Sequence, residues 1–205
     1  VASIQLWVAT GSIHEGAGLG AGLSHLLEHM LFKGTEKRGP NDIARAVQEA
    51  GGYVNAYPSF DRAVYWIDVP RDGTATAIEL LADAALHSTL PAQELAREQE
   101  VIRREFAMGF DDPNRMSTEL MLSTAFCASP YRHPIIGHLD IFNRLTRDDL
   151  VAYYRSRYTP DNMFLVVTGD VDPEEIFRLT TGGFGAVPRC APPPPFIPRE
   201  PSQLG

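Results

Sequence analysis

One pentad constrains this chain more than any other stretch: His25-Leu26-Leu27-Glu28-His29. It lies in a segment, Leu23 to Lys33, that reads as a helix. Leu23, Leu26, Leu27, Met30 and Leu31 form an apolar stripe at helical spacing, Phe32 extends the other side, and no cation interrupts before Lys33. A helix apolar on most sides is usually buried. The fold therefore has to bury two imidazoles and a carboxylate, which is costly unless something pairs with them. Residues i and i+4 share a helical face, so His25 and His29 can hold one metal ion between them, with Glu28 close by. Two neutral nitrogen ligands and an adjacent carboxylate suit a catalytic zinc site with a general base. The pentad alone leaves another reading open. A lone histidine in such a stripe is more often a hydrogen-bonded core residue, and five-residue patterns also arise by chance.

A zinc site of this kind needs a third protein ligand and a position left for water. The candidate lies in a second helical stretch, Glu94 to Phe106, opened by Pro91. Its apolar stripe is Leu95, Ile102 and Phe106, and Glu98 and Glu105, seven apart, share a face with Ile102. Most helical glutamates are solvated, so two on a core-facing stripe are unusual. Glu105 as ligand and Glu98 as the acceptor that orients a histidine form a coherent assignment.

At this point the chain resembles the pitrilysin and mitochondrial-processing-peptidase family of inverted zinc metallopeptidases. That family's pattern is H-x-x-E-H followed about 76 residues later by a glutamate, with another glutamate seven residues before it; here His29 to Glu105 is 76 residues and Glu98 takes the earlier place. Glu28 to Thr35, Gly51 to Tyr57, Pro130 to Gly137 and Val166 to Asp172 are similar to family segments, so the likeness covers nearly the whole chain. It implies a zinc endopeptidase holding one Zn2+ on His25, His29 and Glu105. Glu28 would be the general base for water and Glu98 a supporting acceptor. It also implies that Asn55, Ala56 and Tyr57 hold a peptide as an added β-strand. Pro58 departs from the threonine of many relatives and removes a backbone donor there. The family pairs homologous domains, so the implied partners are a second domain or partner subunit, with a dimer as one arrangement. The alternative is a non-catalytic or half-site interaction subunit of the same fold. A closed structural zinc site fits less well, because three ligands beside Glu28 leave a position open.

The rest of the chain sets bounds. Its 205 residues are 44% hydrophobic and 21% charged, an ordinary globular composition with room for a substantial core. A net charge of −8 disfavours nucleic acid or an anionic membrane surface. No apolar run approaches the length of a membrane-spanning helix, and no signal-peptide pattern opens the chain. The expectation is a soluble protein of the bacterial cytoplasm or periplasm, with the compartment left open. Cys127 and Cys190 are far apart, in no metal-binding spacing, and read as free thiols. His14, His87, His133 and His138 lack ligand spacing and read as structural or surface residues; His133 and His138, five apart, do not share a helical face.

Strands are expected at Ser3 to Thr10, Tyr53 to Tyr57, Ala63 to Val69 and Asn162 to Thr168. Helices are expected at Asn41 to Ala50, Gly73 to Leu90, Pro91 to Phe110, Arg115 to Phe126, Arg147 to Tyr158 and Pro173 to Thr180. Without regular β-α-β alternation, this order implies an α+β fold, an antiparallel sheet layered with helices. Residues 1–187 read as one domain, lacking the first strand that relatives usually carry. Residues 188–205, dense in proline, read as a linker or tail toward a missing second domain.

Overall fold

The structure, a computed structural model, describes residues 1–203. Its sheet has four antiparallel strands: β1 (Ala2–Val8), β2 (Tyr53–Pro58), β3 (Ala63–Val69) and β4 (Met163–Gly169), in the order β2-β3-β1-β4. The alternation in β1 sets the faces. Ala2, Ile4, Leu6 and Val8 are buried, and their register partners Ile67 and Tyr65 in β3 are fully buried beside them. The opposite face is aromatic. Trp7 stacks on Phe164 with centroids 5.7 Å apart, and Tyr57 meets Trp66 edge-on at 6.0 Å.

Eight α-helices complete the described chain: α1 (Leu23–Met30), α2 (Asp42–Glu49), α3 (Thr74–His87), α4 (Ala92–Phe110), α5 (Pro113–Ala125), α6 (Leu139–Phe142), α7 (Arg147–Arg157) and α8 (Pro173–Phe184). The architecture is α+β, as the element order implies. Helix α1 packs against β2, α4 and α7, while α3 packs on β1 and β3. Leu26, Leu27 and Met30 of α1 are fully buried, each contributing about 1.5–3 kcal/mol of transfer free energy. The metal-motif helix is thus part of the core.

Helix boundaries follow local chemistry. Asp112 caps α5 by accepting from the N–H groups of Asn114 and Arg115, with Pro113 at the first helical position. This begins α5 two residues before the Arg115 start expected from apolar spacing. Thr146 and Asp149 form a reciprocal capping box at α7. Helix α3 stops at His87 rather than Leu90; Leu90 takes φ +46°, and Ser88 bridges to Thr35.

The proline-rich stretch from Pro188 to Gln203 has no regular secondary structure but lies on the domain. Arg157 donates to the Pro193 carbonyl at 2.8 Å. The N–H groups of Cys127, Ala128 and Ser129 converge on the Glu200 carboxylate at 2.7–3.0 Å. Both cysteines are free and exposed. No helix among the described residues is long and apolar enough to cross a membrane.

Candidate metal centre

Helices α1 and α4 cross so that the pentad faces the acidic stripe of α4. His25 Nε2 lies 3.4 Å from Glu105 Oε2, and His29 Nε2 lies 3.5 Å from Glu105 Oε1. The imidazole rings stand 4.7 Å apart at 74°. Donors around a tetrahedral zinc at about 2.0–2.1 Å are separated by about 3.3 Å, so the spacing suits that ion. Glu28 is also close: its Oε2 is 3.9 Å from His29 Nε2, and His25, Glu28 and His29 offer ligand atoms all within 4.8 Å of one another. Distance alone therefore does not separate ligand from base. Glu105 is distinguished by coming from the opposite helix and reaching both imidazoles, one with each oxygen.

At His25 the electrostatics disfavour a proton. Burial, then the neighbouring His29 and Arg115, push His25 down to about 3, so its imidazole is neutral with a lone pair to give. Burial holds the Glu28 carboxyl above its ordinary value; the nearby Glu105 and Glu98 carboxylates add to this, and His29 opposes it. At Glu98 burial acts upward, but hydrogen bonds from Lys33 and His29 outweigh it and leave the carboxyl below its usual range. Glu98 Oε2 is 3.0 Å from His29 Nδ1, and Lys33 Nζ is 2.6 Å from Glu98 Oε1. With an ionised acceptor on Nδ1, that nitrogen carries the proton and Nε2 keeps its lone pair on the Glu105 side.

All four motif positions therefore meet in one cluster, with Glu98 adjoining. A cavity of about 550 Å³ opens beside it, bounded by His25, Glu105, Phe60, Arg115 and His133 among others. A second of about 650 Å³ shares Arg115, Glu119, Arg132, Pro134 and Ile136 with it and continues along α5. The strand β2 is an edge strand beside α1. Ala56 lies on its half-buried face against the core, whereas Asn55 and Tyr57 belong to the exposed register positions. Asn55 Oδ1 accepts from the Ala56 N–H at 2.8 Å, closing off that backbone donor.

Lys33, four residues after His29, lies in the turn that follows α1, and helical spacing alone does not mark it as part of the site. Glu15, whose carboxylate holds the N–H groups of Gly22 and Ser24, carried no local signal. His133 and His138 meet across a loop at 3.0 Å, a contact that helical spacing could not suggest.

A buried His-x-x-Glu-His helix facing a glutamate-bearing helix, laid on an antiparallel sheet, is the architecture of a known peptidase class. A protease from Helicobacter pylori superposes with a TM-score of 0.93 at 29% identity, covering 100% of this chain and 50% of that one. The periplasmic protease PqqL from Escherichia coli shares the fold, with a TM-score of 0.87 at 24% identity over 97% of this chain and 23% of its own.

The chain belongs to peptidase family M16, the insulinase and pitrilysin family. Residues 1–138 match the model of the insulinase family (peptidase family M16), and residues 144–205 match that of the M16 inactive domain. An uncharacterised zinc protease of Mycobacterium leprae is 35% identical over 90% of this chain, and one of Bacillus subtilis 33% identical over 82%. The chain spans 41% of the length of each of these two relatives.

Proposed function

We propose that this chain carries the catalytic centre of a zinc-dependent endopeptidase. The observation that carries the reading is convergence: two imidazoles of one helix each lie 3.4–3.5 Å from a carboxylate oxygen of Glu105 on another, with one further carboxylate beside them. His25, His29 and Glu105 hold a single Zn2+. When bound, zinc supplies Lewis acidity, polarising the scissile carbonyl and making water a better acid. Glu28 takes a proton from the attacking water and delivers it to the leaving amine. Its raised pKa brings it nearer the neutral range in which a general base works best. Glu98 holds His29 in the tautomer that presents Nε2.

The substrate is a peptide or unfolded segment added as a strand to the edge of β2, next to α1. Backbone pairing there is tolerant of sequence. Asn55, Ala56 and Tyr57 contribute mainly through their backbones, and the Asn55 side chain must release the Ala56 N–H for it to pair. Activity calls on a second domain or partner subunit, in keeping with the longer chains of the relatives. Residues 1–187 form the metal-bearing domain, and the proline-rich stretch that follows, held against it through Pro193 and Glu200, is the connection to that second domain.

The test is Glu28→Gln in the full-length protein. Zinc content stays at one equivalent while peptide hydrolysis falls by at least about 100-fold. Substantial turnover by the zinc-loaded variant would reject this role for Glu28.

A further inference from the structure

We propose that Glu15 is a positioning residue for the metal centre, fixing the first turn of α1 and through it the imidazole of His25. The inference rests on the zinc reading above.

The two histidines of the pentad are held in different ways. His29 is tied through its ring to Glu98. The His25 Nδ1 is buried and has no hydrogen-bond partner among the described residues. Where the His25 ring sits therefore depends on where its backbone sits, and His25 is the third residue of α1.

That first turn cannot hold itself. Its N-cap is Gly22 at φ +78°, which has no side chain to offer, and the first backbone bond into the helix is Leu26 N–H to the Gly22 carbonyl at 2.9 Å. The N–H groups before it have no acceptor within the helix. Glu15 supplies one from outside: Oε2 accepts from Gly22 N–H at 3.1 Å and Oε1 from Ser24 N–H at 2.9 Å. A second tie runs through the Ser24 hydroxyl, 2.5 Å from the Tyr153 hydroxyl of α7, which in turn lies 3.0 Å from Thr10 Oγ1. The turn that delivers His25 is clamped on its backbone by Glu15 and on its side chain by Tyr153.

Glu15 is only 5% exposed and forms no ion pair among the described residues. A buried carboxyl without a cation is costly, and burial pushes this one up to about 7. At the other α-helix N-termini the side-chain caps are local or absent. A remote, buried carboxylate is spent on the one helix whose first turn bears a metal ligand. Glu15 does for His25, through the backbone, what Glu98 does for His29 through the ring. A metal site tolerates little error: ligands must be held to within about half an ångström.

The experiment uses the full-length protein with Glu15→Ala, Glu15→Gln and, as a control, Asp83→Asn. Asp83 is another buried carboxylate, on α3, bound to Thr35 and Arg38 and away from the first turn of α1. Zinc affinity is read by chelator competition at a temperature where each variant is folded, and ligand geometry by the visible spectrum of the cobalt(II)-loaded protein. Glu15→Ala is expected to weaken zinc binding by about tenfold or more and to alter the cobalt spectrum. Glu15→Gln, which keeps one carbonyl acceptor, loses less, and Asp83→Asn loses stability while keeping wild-type zinc affinity. If Glu15→Ala does not fold, Glu15→Gln carries the comparison against Asp83→Asn. Wild-type affinity and spectrum in the Glu15 variants would overturn the inference, as would an equal loss of affinity in Asp83→Asn. A wild-type protein that takes up no zinc would overturn the zinc reading itself, and this inference with it.

Discussion

Lys33 extends the proposed metal centre by one link. Its ammonium binds one oxygen of Glu98 while His29 holds the other, so the carboxylate is fixed at both ends. Outer partners of this kind, when removed, typically change metal affinity 10–100-fold. Lys33→Met leaves every ligand in place and frees only the Glu98 carboxylate to turn. Zinc affinity is expected to fall about tenfold, with turnover per bound zinc unchanged, measured by chelator competition alongside peptide hydrolysis. An unaltered affinity would mean that packing alone orients Glu98. The proposed ligands stand out in the sequence because their spacing along two helices is periodic. Lys33 does not, because a cation following an apolar helix is ordinarily a solvated terminus. Glu15 does not either, because a carboxylate that caps a helix from a separate turn leaves no local pattern.

Among the elements, the glycine turn before α1 is under the tightest constraint. Gly22 has φ +78°, and a Cβ there would run into the backbone carbonyl of Ile136. Gly137, at φ +89°, presses back on the Ala21 and Gly22 backbone. The turn feeding α1 and the loop from Pro130 to His138 therefore pack backbone to backbone, and neither position admits a side chain. Gly16 has φ +58° but open space around it, so it separates strain from collision. Gly16→Ala should cost about 1 kcal/mol for the left-handed conformation alone. Gly22→Ala should cost about 2 kcal/mol more, because backbone has to move. Equilibrium urea unfolding measures both, and equal losses would show that the contact relaxes freely. The periodic helices and strands were legible from the sequence to within a few residues. The short helix α6, four residues long, and the meeting of His133 with His138 were not. Both are set by chain reversal around Pro134 and Gly137, and four residues are too few to show a period.

At the scale of the whole domain, the candidate site gathers the three proposed ligands but is open in shape. His25, His29 and Glu28 are largely buried, whereas Glu105 keeps 27% of its side chain exposed and adjoins a cavity of about 550 Å³. Peptide hydrolysis needs more than a metal and a base: donors aimed at the developing oxyanion and exclusion of water matter as much, each such donor being worth about 10²–10³ in rate. Arg115, which lines the same cavity as His25 and Glu105, is already bound to Glu119 at 3.0 Å. The exposed apolar side chains Met116 and Leu120 on α5, with Phe110 at the end of α4, line the adjoining cavity of about 650 Å³. On the proposed reading, metal affinity rests on α1 and α4, which the domain holds by its own core, while catalysis rests on what closes over the groove. The two properties should therefore part company when residues 1–205 are compared with the full-length protein. Zinc affinity is expected to agree within about threefold, since the ligands and their supports all lie in this domain. Peptide kcat/KM is expected to be lower by at least about 100-fold in the isolated domain. Comparable turnover would show that the groove along α5 suffices for catalysis without a cover. A large loss of zinc affinity would instead place part of the support for α1 outside the domain.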